Sequence, residues 1–190
     1  MRTIRTARLR LEPVTAANAG TLWDVLQEPD LRDYQDLPDV NRAQFLRTVG
    51  SRPTRFGPGA TGRFEWLVHS GDGTDTLGWI SLRISESSRS TAEIGYSVVR
   101  AHRGRGFATE AVAALVDEGF RRTRVQRIRA YCLPENLPSR AVLRRNGFED
   151  EGMLPRGATV AGKPVDVVLH SLDRSRWHAT AIANREATRS

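Results

Sequence analysis

Apolar residues alternate with charged ones in Arg8–Leu9–Arg10–Leu11–Glu12, which predicts a first β-strand with one buried face. Leu22, Trp23, Val25 and Leu26 then recur at helical spacing behind a Thr15 cap, and Pro29 stops that helix. Residues 30–39 are polar and irregular. A second helix is predicted over about 40–49, carrying Phe45, Leu46 and Val49. Two prolines and three glycines make residues 51–62 a loop, placed to line a substrate entrance. Phe64–His69 and Leu77–Ile84 flank the turn Gly71–Asp72–Gly73 and predict a hairpin; Thr91–Val99 predicts a third strand.

A helix from about Gly104 to Arg122 buries Ala111, Val112, Leu115, Val116 and Phe120. Arg127–Cys132 is a further strand. Pro134–Glu135–Asn136–Leu137–Pro138 opens a short helix that ends near Gly147. Phe148–Leu154 and Val165–Leu172 form a last hairpin, interrupted by a glycine-rich loop. From Arg174 the tail reads as a frayed helix docked by Trp177, with disorder after it. The order β, α, α, β, β, β, α, β, α, β, β is that of a mixed α/β fold. One strand–helix–strand unit sits in an otherwise antiparallel sheet.

At 190 residues the chain suits one domain with a substantial core. No apolar run approaches the roughly 18 residues of a membrane span, and the first residues lack the apolar core of a signal peptide. A single cysteine, Cys132, excludes an internal disulfide. These features predict a cytoplasmic protein without membrane contact. The net charge is +7 and rests on arginine, since Lys163 is the only lysine. It reads as a solvated basic surface, or as attraction to polyphosphate cofactors, acidic proteins or ribosomal RNA. No zinc-finger spacing or basic-aromatic signature supports direct nucleic-acid recognition.

The run from Tyr96 to Ala111 changes the picture most. A strand feeds a basic, glycine-rich turn, and a helix starts at once. Such a turn suits phosphate, because its N–H groups and the helix N-terminus attract anions. Gly104 and Gly106 allow close approach, and Arg103 and Arg105 add countercharge. No Gly-Lys-Ser/Thr follows, so a nucleotide-hydrolysing P-loop is excluded. Thr109 stands where a dinucleotide fingerprint needs its third glycine.

The spacing Arg-x-x-Gly-x-Ala at Arg103, Gly106 and Ala108 resembles the acyl-CoA pyrophosphate loop of the GNAT N-acetyltransferase superfamily. Thr6–Ala7–Arg8–Leu9–Arg10–Leu11 and Ala92–Glu93–Ile94–Gly95–Tyr96 are similar to its RimJ/RimL branch. So are Asn136–Leu137–Pro138–Ser139, Asn146–Gly147–Phe148–Glu149 with Glu151–Gly152, and Asp166–Val167–Val168–Leu169–His170–Ser171–Leu172. The resemblance spans residues 6–173 and leaves 174–190 as a tail. It implies a GNAT-type α/β fold: a mixed, mostly antiparallel central sheet flanked by helices, with a splayed strand pair for acyl-CoA. The splay would lie near Val99 and Cys132.

The resemblance further implies acetyl-CoA as co-substrate and an amine as acceptor. Val98 and neighbouring backbone groups would pair with the pantetheine arm, and Arg103, Gly104, Arg105, Gly106, Phe107, Ala108 and Thr109 would cradle the pyrophosphate. Asn136 would bond the pantetheine arm, cap its helix, or both. Glu93 is the first candidate base, against the alternative of a strand carboxylate paired with arginine; Asp166 and Glu65 are weaker candidates. Many relatives place a tyrosine acid seven residues after the asparagine. Here that position is Leu143, so Ser139 becomes the donor to the leaving thiolate, or a cap. N–H groups near Val98 would polarise the thioester carbonyl.

Cys132 reads as a structural thiol, because no histidine is placed in sequence to activate it. His69, His102 and His170 show no metal-ligand spacing, so no metal is expected. Tyr34, in the irregular segment, is a candidate acceptor contact. The acceptor reading is a protein N-terminal α-amine, with nucleic acid reached only through a ribosome. Its rivals are a small-molecule amine, another acyl-CoA such as succinyl-CoA, and a non-catalytic CoA- or RNA-binding module. An exposed last strand would allow a homodimer.

Overall fold

The computed structural model describes residues 1–29, 31 and 40–179; Tyr34 and the end of the tail lie outside them. The strands are β1 (Ile4–Arg5), β2 (Leu9–Pro13), β3 (Gly62–Ser70), β4 (Thr76–Ile84), β5 (Thr91–Val98), β6 (Arg127–Cys132), β7 (Glu149–Val160) and β8 (Lys163–Asp173). The helices are α1 (Ala19–Leu26), α2 (Arg42–Gly50), α3 (Phe107–Arg122) and α4 (Leu137–Arg145), with a further helical turn at 174–179. The strands form one sheet in the order β1-β2-β3-β4-β5-β6-β8-β7. Every neighbouring pair is antiparallel except β5 and β6, which α3 joins as a parallel crossover.

Side-chain alternation divides the sheet into two faces. One carries Leu9, Leu11, Trp66, Ile80, Leu82 and Ile94 and packs under the apolar stripe of α3, formed by Ala111, Val112, Leu115 and Phe120. The other carries Leu67 and Trp79 under α1 and α2. Trp177 does dock the helical turn at 174–179: its ring lies 5.3 Å from Phe120.

Four features depart from the sequence reading. β1 was not expected, since a two-residue strand has no periodicity; it pairs Ile4 with Leu11. Thr15 does not cap α1. Asn18 stands at the cap, and its Oδ1 accepts from the Thr15 N–H at 2.7 Å. Helix α3 starts at Phe107, not Gly104, because Gly106 has φ +81° and cannot be helical. The last hairpin has no interrupting loop: β7 and β8 run through to a turn at Ala161–Gly162, with irregular register after Asp150 and after Leu154. The edge at this end of the sheet is therefore β7, not the last strand, which lies between β6 and β7.

Candidate active site

β5 and β6 pair only at Thr91–Arg127, Ala92–Ile128 and Glu93–Arg129, and then part. The Val99 N–H donates to Leu77 O on β4 at 2.9 Å. Alternation along an extended strand then turns the N–H groups of Tyr96 and Val98 toward the gap. A cavity of about 370 Å³ opens there, bounded by Tyr96 and Val98 of β5, the turn before α3, and Asn136 and Ser139 of α4.

The turn has the form an anion needs. Gly104 sits at φ +75° with open space where a Cβ would be, and Gly106 at φ +81° directly precedes α3. Intrahelical bonding begins with the Glu110 N–H donating to Gly106 O at 3.1 Å. That leaves the Phe107, Ala108 and Thr109 N–H groups ahead of the first helical bond, beside the cavity. The shape and donors fit a pyrophosphate.

Of the expected cradle, Arg103, Gly104, Gly106, Phe107, Ala108 and Thr109 all line the cavity. Arg105 does not: its guanidinium lies over the Phe107 ring, 4.9 Å from the centroid. Arg103 does more than supply charge, since its Nε donates to Val98 O at 2.8 Å. That carbonyl is thus engaged by the turn, and the Val98 N–H is the strand group presented to the gap.

A second layer stiffens the turn. Glu110 accepts from Thr6 Oγ1 at 2.5 Å, from the Arg8 N–H at 2.9 Å and from Arg8 Nε at 2.7 Å. Arg8 in turn donates to Arg105 O at 3.0 Å. Burial pushes the Glu110 carboxyl up, but the bonds from Thr6 and Arg8 outweigh it and hold it below the usual range. The sequence reading passed over Glu110.

Asn136 caps α4, its Oδ1 accepting the Ser139 N–H at 3.1 Å while the residue lines the cavity. Ser139 Oγ lies 2.9 Å from the Tyr96 hydroxyl, which also donates to Ser139 O at 3.2 Å. Burial raises the phenol's pKa, and its bond to Ser139 only partly offsets this. Leu143, where relatives carry a tyrosine, is buried in the core. A phenol reaches the cavity from the facing strand instead, and sequence reasoning missed it because 43 residues separate Tyr96 from Ser139.

Glu93 lies elsewhere. Three residues from Tyr96, it falls on the opposite sheet face, where Arg83 Nη2 donates to its Oε2 at 2.6 Å. The structure does not bring Glu93 and Ser139 into one cavity. Glu65 is buried in ion pairs with Arg52 and Arg63, and Asp166 accepts the Arg156 N–H on an exposed hairpin.

Cys132 is buried, as expected of a structural thiol, but a histidine does approach it. Pairing of β6 with β8 brings His170 Nδ1 to 3.7 Å from Sγ. Burial pushes the thiol up to about 11 and lowers His170, so the pair is neutral at pH 7.

The family model described as acetyltransferase (GNAT) domain matches residues 8–149. An uncharacterized N-acetyltransferase, p20, of Bacillus licheniformis is 31% identical over 176 residues, covering 90% of this chain and 96% of its own. The ribosomal-protein-serine acetyltransferase of Escherichia coli (strain K12) is 32% identical over 97 residues, 51% of this chain and 54% of its own. Among solved structures, Mycobacterium smegmatis RimJ in complex with CoA-disulfide has a TM-score of 0.71 at 23% identity, covering 97% of this chain and 94% of its own. RimL, a ribosomal L7/L12 alpha-N-protein acetyltransferase in complex with coenzyme A, has a TM-score of 0.76 at 20% identity, covering 90% and 98%.

Proposed function

The chain belongs to the GNAT acetyltransferase family, and from that premise we propose that it transfers acetyl from acetyl-CoA to the N-terminal α-amine of a protein. The observation that carries the reading is the parting of β5 from β6 beyond Glu93–Arg129, directly beside the glycine turn. The gap exposes the edge of β5 to a pantetheine arm, the turn receives the pyrophosphate, and no metal takes part. Two Escherichia coli relatives are named as acetylating ribosomal proteins, one at serine and one at the alanine of uS5. Ribosomal proteins, met in the cytoplasm, are the acceptor class we assign.

In the reaction the amine nitrogen bonds to the acetyl carbon and the carbon–sulfur bond breaks. The Val98 N–H facing the gap polarises the carbonyl oxygen. The Ser139 hydroxyl donates a hydrogen bond to the departing thiolate, which takes its proton from solvent, and the Tyr96 phenol holds that hydroxyl in place. The amine's own proton leaves from the opposite face, where Glu93 receives it through water. Little assistance is needed: an α-amine with a pKa near ~8 is roughly a quarter neutral at pH 7.5.

A thiol-release assay tests the reading. Acetyl-CoA and succinyl-CoA are each offered with α-amine peptides, lysine peptides, polyamines and aminoglycosides. The proposal expects turnover with acetyl-CoA and α-amine peptides, lowered in Ser139→Ala and Glu93→Gln. Turnover confined to small amines, or to succinyl-CoA, overturns it. If Glu93→Gln keeps full kcat across pH 6–9, Glu93 is an ion-pair residue only.

A further inference from the structure

Register across four strands aligns Arg63 with Arg83, Arg83 with Glu93 and Glu93 with Arg129. Alternation puts all four side chains on the face opposite the acyl-CoA cavity. Cross-strand neighbours on one face stand about 5 Å apart, so Arg83 and Arg129 flank the Glu93 carboxylate, with Arg63 one strand further out. The carboxylate is bonded to Arg83, and Arg63 lies 3.6 Å from Glu65. The Arg129 side chain has no hydrogen bond or ion pair with any described residue, and its Nε is buried without a partner. A buried guanidinium N–H left unpaired is costly, so Arg129, which also lines the groove below, is a guanidinium with bonding capacity to spare.

Three of these residues, Arg83, Glu93 and Arg129, line a groove of about 650 Å³ with Tyr131 and the 85–88 turn, which adds a second carboxylate, Glu86. The groove begins at Glu93 and Arg129, the last pair before the strands part. An acceptor whose α-amine enters the gap from this face lays its next residues over the groove. At about 3.3–3.6 Å per extended residue, the second to fourth residues fall there. Their complement is a carboxylate, which a guanidinium holds with paired N–H bonds. Glu86 and Glu93 in the groove repel a polyanion such as RNA, while a single carboxylate can sit on the Arg129 side.

We propose that this groove recognises an acidic side chain near the N-terminus of the acceptor, with Arg129 as its partner. This rests on the α-amine reading above and specifies the acceptor further. Arg129 is a specificity residue; it touches none of the reacting atoms.

The test uses peptides that share one N-terminal residue and carry glutamate, glutamine or lysine at positions two to four. Calorimetric Kd values are measured in the presence of CoA, and thiol release is measured separately with acetyl-CoA. The expected result is about tenfold tighter binding of glutamate than glutamine peptides, equivalent to about 1.4 kcal/mol, appearing in KM rather than kcat. Arg129→Gln brings the glutamate peptides to the glutamine level. Arg129→Glu turns the preference toward lysine, and CoA affinity reports whether each variant is folded. Equal Kd for glutamate and glutamine peptides, or a preference that survives in folded Arg129→Gln, overturns the proposal. A glutamate preference in Kd without turnover supports the groove and overturns α-amine transfer; turnover without preference does the reverse.

Discussion

The Tyr96 hydroxyl lies 2.9 Å from Ser139 Oγ, a contact that ties β5 to α4 across the mouth of the acyl-CoA cavity. Burial keeps the phenol protonated. In the proposed reaction this contact holds the Ser139 hydroxyl toward the departing thiolate, so the two hydroxyls act on one path. Ser139→Ala should lower kcat about 100-fold, as expected for loss of a hydrogen bond to a developing charge. Tyr96→Phe should lower it about tenfold, the value of one well-placed hydrogen bond. The KM for acetyl-CoA should change less than about twofold in both. Because they share one path, the double variant should be little worse than Ser139→Ala alone; additive losses would show separate roles.

The turn before α3 should tolerate no side chain at Gly106. Its φ of +81° costs an L-residue about 1–2 kcal/mol, and a Cβ there would lie 3.4 Å from Arg8 Nη2. We expect Gly106→Ala to weaken CoA binding about tenfold or more by calorimetry. The thermal midpoint should fall by only a few degrees. Unchanged CoA affinity would mean that the turn does not hold the pyrophosphate.

Glu110 should couple stability to cofactor binding. Its folded pKa is held below the unfolded value, so its contribution is complete above the ordinary carboxylate range and is lost as pH falls through the folded pKa. Glu110→Gln should cost about 1–3 kcal/mol at pH 7 in chemical denaturation, and progressively less as pH falls through the folded pKa. It should also raise the KM for acetyl-CoA, since Arg8 would no longer be held against Arg105 O. A cost that does not change with pH would point to packing instead.

His170 is fully buried, and burial lowers its pKa below the usual value near ~6.5. The unfolded chain takes up that proton first. Stability is therefore full above about pH 6.5 and falls as pH drops toward the folded pKa. His69 is lowered for the same reason, so His170→Asn should flatten the decline between pH 7.5 and 5.5 only in part. Denaturation midpoints across that range check it. With the neighbouring thiol pushed up to about 11, iodoacetamide should label Cys132 slowly at pH 8, and faster once urea exposes it.

Much of the fold was legible because it is written in local periodicity. The alternation at Leu9 and Leu11, the glycines before α3 and the helical spacing of Ala111, Val112 and Leu115 each act within a few residues. The elements missed had weak local signals. Ile4–Arg5 is too short to show a period, and the β7–β8 turn uses Ala161–Gly162 at positive φ rather than an asparagine–glycine pair. The glycine turn proposed to hold the pyrophosphate was equally readable as a turn, since it lies in one run of backbone from Arg103 to Thr109.

Contacts between distant segments were decided by tertiary structure. Strand register set Arg83 against Glu93 and aligned Arg129 beyond it. It also carried Glu93 to the face opposite Ser139, which the two-residue alternation of a strand permits but does not locate. The Tyr96–Ser139 contact and the approach of His170 to Cys132 span 43 and 38 residues. No periodicity records such distances, because they depend on which strands become neighbours. By itself the sequence determined a mixed α/β fold with a glycine-rich turn ahead of a helix, and it supplied the residues proposed for acyl transfer. Tertiary packing decided which hydroxyls share a path, which carboxylate faces which side, and which arginine is left for a ligand, because those outcomes follow from strand order and register.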